Sequence, residues 1–408
     1  MLIRVQSLPV AGAFCMLLCL AANATLAQTS NDEFQRILYE KATFEASDFV
    51  ALEQGQTVVK LTPASAKGEI ALCGLVGLRT NADHFLKSYL DGIARRSNEA
   101  ILETGRFGTA PDVADLQQLT IEAADIEDLK LCAVGDCNVK LSAKMIERAR
   151  SEVNWNAPDY QTQAAQLLKL MLAEYVRDYV ARGSAALIEY HDKRDEVRVA
   201  NEQQELHAAS GYLNDLLRES QPGMRLVEDA IVWSKIKFGL KPVLVIEHVK
   251  VYQGSNDTRD RGPQVFVAAE QIYANHYFNS SRALTAYVSV PGANPTAYLV
   301  YENRSRADGL QGAFSKLKRG IIENKAVGGL KSVLEHTRMR LDGATFATTE
   351  ASVQRSTGWG HRLFGGVRPV LWVLTISALL ALFLLGKRHV AKTDAPARAT
   401  QRRADMRT

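Results

Sequence analysis

The sequence predicts an α+β protein: an antiparallel sheet, a large helical insertion, a long helix towards the C-terminus, and one transmembrane helix after it. Three observations predict this. Strand-like runs fall in two blocks, 56–79 and 231–304, and helical periodicity fills the interval 112–217 and returns over 308–341. Residues 369–386 then form an uncharged apolar run.

The chain opens with Arg4, an apolar run over 11–22 and a small-residue region, which is the plan of a secretion signal. Thr25-Leu26-Ala27 before Gln28 fits the cut, so residues 1–27 read as a signal peptide. Phe14 and Leu18 precede Cys15 and Cys19, where a lipoprotein signal needs a small residue. Lipidation is therefore not expected.

In the first strand block, 56–61 (QTVVKL) and 69–79 (EIALCGLVGLR) flank a turn-rich stretch, and Ile70, Leu72, Val76 and Leu78 share one face at period two. An antiparallel hairpin follows from that pattern. Asn81 offers an N-cap to a helix whose stripe is Phe85, Leu86, Tyr89, Leu90 and Ile93.

Pro111, Pro158 and Gly183 divide the helical segment into four or five helices, of which 160–182 is the clearest, with Ala164, Leu167, Leu168, Met171, Leu172, Tyr175, Val176 and Tyr179 on one face. Cys132 and Cys137 enclose Gly135-Asp136, and in an exported domain this pattern predicts a local disulfide. The other use of such a pair, redox or metal chemistry, lacks a second cluster of ligands. Cys73, in an apolar strand, reads as a buried thiol. Glu189-Tyr190-His191-Asp192 holds acid and base together, yet sequence neighbours do not face one another on a helix. The expectation there is a helix end running into an exposed charged stretch.

The second strand block contains 242–252, 264–278, 283–290 and 296–303, rich in Val, Ile, Tyr and Phe, with turns expected at 254–256, 279–280 and 291–294. Residues 303–306 (NRSR) read as a solvated capping turn, or an anion site beside the next helix. That helix, 308–341, carries Leu310, Phe314, Leu317, Ile321, Leu330, Leu334 and Leu341 near one side, with Gly328-Gly329 expected to kink or divide it. Residues 342–366 read as a tether.

The apolar run 369–386 is 18 residues long. As a helix it rises roughly 27 Å, near the hydrocarbon thickness. Arg368 and Lys387-Arg388 bracket it. Beyond it, Lys387, Arg388, Lys392, Arg398, Arg402, Arg403 and Arg407 stand against Asp394 and Asp405, a balance of +5 that places residues 387–408 in the cytoplasm. The whole chain carries +4, so setting aside this tail and Arg4 leaves about −2 on residues 5–386. The basic balance comes from the anchor, which argues against a nucleic-acid partner.

The order of elements over 56–95 and 231–341 resembles the START-like, helix-grip superfamily. The resemblance implies a curved antiparallel sheet gripping the long C-terminal helix around an apolar cavity, and a hydrophobic small molecule or lipid as ligand. The chain departs from a minimal domain of that kind by its helical insertion, which leaves open a different α+β fold or two domains.

Polar residues inside apolar strands are the candidates for orienting a ligand: His248, Glu270, His276 and Tyr277. Satisfied structural hydrogen bonding is the other role they can play. Six residues of extended chain put Glu270 and His276 roughly 20 Å apart, so they form no catalytic pair without a turn between them. The sequence holds no HExxH, GxxxxGK or GxSxG, and no catalytic residue, metal ligand or cofactor is expected. Three functions follow: a membrane-anchored binding module, an enzyme using His248, Glu270 and His276, or an envelope scaffold binding a protein through the insertion.

Overall fold

Val, Ile and Tyr dominate the strand segments because branched and aromatic side chains pack well on a pleated surface. The strands are β1 (Val58–Leu61), β2 (Glu69–Leu78), β3 (Ile101–Arg106), β4 (Glu189–Tyr190), β5 (Val197–Arg198), β6 (Arg225–Ile236), β7 (Val243–Gln253), β8 (Val265–Ala274), β9 (Phe278–Ser289) and β10 (Ala297–Ala307). The helices are α1 (Ala46–Glu53), α2 (Ala82–Ala94), α3 (Ala123–Leu131), α4 (Ala143–Glu152), α5 (Tyr160–Arg182), α6 (Val199–Ala209), α7 (Tyr212–Ser220) and α8 (Ser315–Val353). The computed structural model describes residues 43–66, 68–94, 101–209, 212–220, 223–237, 241–254, 263–290, 295–308 and 315–353. The expected signal peptide, the apolar run 369–386 and the basic tail lie outside these, and no helix among the described residues is long and apolar enough to cross a membrane.

The protein is α+β with a large antiparallel sheet. Eight strands pair in the order β1-β2-β10-β9-β8-β7-β6-β3, and β4 and β5 form a separate ribbon. The last strand, β10, lies between β2 and β9, so the first block of the sequence joins the sheet along the last strand of the second.

Each face of the sheet has its own cover. On one, α2 (Phe85, Leu86, Tyr89) and α8 (Ile322, Leu330, Val333, Leu334, Leu341) pack against Ile70, Leu72, Val76, Val249, Val267 and Leu299. The expected period-two face of β2 is thus a buried face under helices. On the other, Ile126, Ile146, Leu172 and Val176 of the insertion pack on Trp233, Ile246, Ile272 and Tyr273, while α1 and α7 bring Phe49, Leu52 and Leu213 to Leu75, Leu284 and Val300. Close approach of α8 depends on Gly74, where a Cβ atom would lie 2.6 Å from Leu334 Cδ1 and 3.0 Å from Leu330 Cδ2.

Several expectations are met at the level of single residues. The Asn81 side chain accepts from the His84 N–H at 2.8 Å and caps α2. Cys132 and Cys137 are bonded, with Cα atoms 4.4 Å apart, and Cys73 is a buried free thiol. Gly135 at φ 85° makes the enclosed turn.

Others are corrected. Residues 189–192 do not end a helix: the Gly135 and Cys137 N–H groups donate to the carbonyls of His191 and Asp192 at 2.8 and 2.9 Å, which holds this backbone extended against the disulfide loop. Asp192 is buried beside Lys140. The run 264–278 is two strands, because Tyr277 adopts φ 60° and turns the chain at Asn275–Tyr277, four residues before the expected position. Residues 303–306 are no solvated turn but the buried end of β10. Helix α8 continues through Gly328-Gly329 and into the expected tether, since Leu330 and Leu334 fix it to β2 and two glycines cost a packed helix only about 1 kcal/mol each. Phe314 and the side chains of Leu317 and Ile321 lie outside the described residues.

Candidate functional site

Successive residues of a strand point to opposite sides, so the parity of a polar residue decides which compartment it serves. Strand β7 alternates Leu244, Ile246 and His248 towards the insertion with Val249 and Val251 towards α8. His248 and Glu270, cross-strand partners, therefore face the insertion, and their neighbours Glu247 and Gln271, also partners, face α8.

On the insertion side the expected site residues are engaged. The His248 ring meets the Asp229 carboxylate with Nε2 at 2.5 Å and the Tyr179 hydroxyl with Nδ1 at 2.8 Å. A carboxylate only accepts, so Nε2 donates to it, and Nδ1 shares a hydrogen bond with the phenol. Glu270 pairs with His207 at 2.7 Å and Arg282 at 3.3 Å. Burial pushes its carboxyl upward, but His207 and Arg282 outweigh that and hold it below the usual range. Beside it, Arg304 joins Glu69 at 2.6 Å and Glu302 at 3.0 Å, and Arg306 joins Glu205 at 2.6 Å. These ion pairs link β10 to β2 and α6, and they are not legible in the sequence because, Glu302 and Arg304 apart, the partners are far apart along the chain.

His276 and Tyr277 occupy the β8–β9 turn, away from Glu270. His276 contacts the Asn138 carbonyl and the Asp125 carboxylate, both at 3.0 Å, and Asp125 also accepts from Asn275 Nδ2 at 3.0 Å. The Tyr277 hydroxyl accepts from the Lys241 N–H at 3.3 Å. The turn is thus tied to the insertion beside the disulfide loop. The four expected residues are not brought into one site.

The α8 side holds a different group. Glu247 and Gln271 pair across β7 and β8, and Ser281 and Ser305 pair across β9 and β10, each almost completely buried. Ser281 and Ser305 bond each other at 2.6 Å, and Ser305 donates to Asn303 Oδ1 at 2.8 Å. The adjacent line is Val249, Ala269, Ala283 and Asn303, small in its middle. Beyond it stands Tyr301, whose phenol is driven far above its ordinary range by burial and by the nearby Glu247 carboxylate, with Tyr89 of α2 adding to it. Gln271 Nε2 is buried without a hydrogen-bond partner among the described residues, while the Tyr301 hydroxyl has the Asn303 side chain beside it, which offsets part of the upward push on the phenol. An unpartnered buried group is costly inside a protein and calls for an explanation.

A cleft of about 330 Å³ opens elsewhere, where the end of β2 meets α1 and α8. Its walls mix Leu52 and Pro295 with Glu53, Arg79, Arg338 and Asp342. The Arg338 guanidinium donates to the Gly55 carbonyl, and the Arg79 N–H donates to Asp342 at 2.9 Å. Burial raises the Asp342 carboxyl.

No protein-family model matches the chain, and no curated protein matches it.

Proposed function

We propose that this chain is a binding module of the START-like, helix-grip kind, tethered to a membrane by residues 369–386 and holding a hydrophobic small molecule or lipid between its sheet and helices α2 and α8. The observation that carries the reading is Gln271 Nε2, buried without a hydrogen-bond partner among the described residues, on an otherwise largely apolar face. A ligand that supplies the missing partner to this amide accounts for its burial. The position of α8 against β2, with the meander closing on β2 through β10, supports the helix-grip reading.

The test is mass spectrometry of small molecules co-purified with the detergent-solubilised full chain, wild type against Ala283→Leu. The wild type retains a defined apolar compound and the variant, with a bulkier side chain between the sheet and its covering helices, loses it. Absence of any specific compound from the wild type rejects the reading.

A second reading, a scaffold that binds another protein through the insertion, has one observation in its favour. Leu131 and Val134, on either side of Cys132, are 80% and 45% exposed beside a loop held rigid by the disulfide. An enzymatic reading has less to rest on, because the rings of His248 and His276 each have both nitrogens engaged.

A further inference from the structure

The cleft at the end of β2 is a separate site and does not depend on any ligand under α2 and α8. We infer that it binds a small zwitterion of amino-acid size, with the anionic group meeting Arg79, the ammonium meeting Glu53 and an apolar body against Pro295.

Size, charge and wall chemistry select that class. A volume of about 330 Å³ lies at the lower end of the range for small-molecule sites, which suits a compact ligand. The charged residues of the wall balance, Arg79 and Arg338 against Glu53 and Asp342, so they complement a ligand of zero net charge better than an ion of either sign. Two of the four are engaged. The Arg338 guanidinium donates to the Gly55 carbonyl, and Asp342 accepts from the Arg79 N–H at 2.9 Å. That second bond fixes the Arg79 backbone to α8 while its exposed guanidinium has no ion pair among the described residues. Glu53 is likewise exposed and without an ion pair among them. It is also the last residue of α1, at the end where helix carbonyls favour a cation and disfavour a carboxylate. An ammonium placed there answers both the carboxylate and the helix end. Pro295 forms a fixed apolar wall, because it lies directly on Gly77, where a Cβ atom would fall 2.3 Å from Pro295 Cγ. The phosphoethanolamine head of a lipid carries the same two charges but has no apolar side chain for that wall, so the cleft favours a free amino acid with an apolar side chain.

Equilibrium dialysis of the detergent-solubilised full chain at neutral pH tests this with three radiolabelled probes of one skeleton. They are leucine, 4-methylpentanoate, which lacks the ammonium, and 3-methylbutylamine, which lacks the carboxylate. Leucine should bind about fivefold more tightly than either, the ratio that one partly exposed charge pair gives. Arg79→Gln should weaken leucine and 4-methylpentanoate by about fivefold and leave 3-methylbutylamine unchanged. Glu53→Gln should weaken leucine and 3-methylbutylamine and spare the acid. Both side chains are exposed, so both variants keep the fold, which circular dichroism checks. Failure to bind leucine, equal binding of the three probes, or a leucine affinity that neither substitution moves overturns the inference. Glycerophosphoethanolamine, the lipid head as a soluble probe, should bind more weakly than leucine; tighter binding overturns the amino-acid assignment and gives the cleft to a lipid head. None of these outcomes alters the count of apolar compound co-purified with the chain, so the two sites are tested separately.

Discussion

Glu247 and Gln271 stand opposite each other on the α8 side of β7 and β8, and the adjacent pair, His248 and Glu270, stands opposite on the insertion side. One strand pair thus supplies polar groups to two compartments with different tasks. The insertion-side pair stabilises: Glu270 is buried against His207 and Arg282. Burial pushes its carboxyl up, while those two cations more than offset the push and leave it depressed. A depressed folded-state value contributes stability that is present above the unfolded value, about 4.3, and is lost as pH falls through the folded one. Glu270→Gln should therefore be less stable than wild type in urea at pH 7, with the gap closing as the pH drops below about 4. A gap that widens on acidification would contradict the pairing.

His276 should behave as a structural tie. Its ring joins Asn138 and Asp125, which connects the β8–β9 turn to the insertion next to the disulfide loop. His276→Ala leaves the buried Asp125 short of a partner and should cost about 1–3 kcal/mol, read from chemical denaturation. Ligand content per folded molecule should stay unchanged. A stable variant with lost ligand would instead return His276 to the binding site.

The two sides of β7 and β8 explain what the sequence could convey. Helix α5 was legible because it has one buried face, which stamps its period on the chain, and the β1–β2 hairpin was legible from two apolar runs around a turn-rich stretch although β2 is buried throughout. Strands β8 and β9 are buried on both faces, so polar and apolar residues do not alternate and parity is unreadable. Polar residues in apolar strands singled out His248 and Glu270, which face the insertion, while their neighbours Glu247 and Gln271 face α8. A bulge between Ile246 and Glu247 in the β7–β8 pairing adds to the difficulty, since it shifts parity along one strand. Strand β3 escaped notice for another reason. It is a half-exposed edge strand whose Gly105 is needed only because Trp233 lies over it, within 2.5 Å of where a Cβ would be.

The disulfide is open to a direct check. Alkylation of the native protein before reduction should leave Cys132 and Cys137 unmodified and Cys73, buried among apolar side chains, labelled only after denaturation. Peptide mass spectrometry distinguishes the three. Replacing both bonded cysteines by serine should cost about 2 kcal/mol for so short a loop. The His191 and Asp192 ribbon that it holds should be the first part to gain amide exchange. Labelling of Cys132 in freshly isolated protein would exclude the bond in the cell.

Topology rests on the sequence outside the described residues and makes its own prediction. Reporters fused after Asp342 and after Thr408, one active only outside the cytoplasm and one only inside, should report opposite sides. The expectation follows from the apolar run 369–386 and the seven basic residues behind it. An external signal from the Thr408 fusion would reject the anchor as drawn.

The seat of α8 on β2 yields the most stringent energetic test, because it concerns two residues that share one space. A Cβ on Gly74 would fall 2.6 Å from Leu334 Cδ1, and Leu334 is fully buried. Gly74→Ala should therefore destabilise by about 1–3 kcal/mol through overpacking. Leu334→Ala should destabilise by about 2–5 kcal/mol through the cavity it leaves. In the double variant the new methyl enters the space that the leucine vacated, so the combined loss should fall short of the sum by about 1 kcal/mol or more. Urea titrations of the four proteins close the cycle. Losses that add within about 0.5 kcal/mol would mean that the two residues do not touch, and α8 would not be seated on β2 in solution.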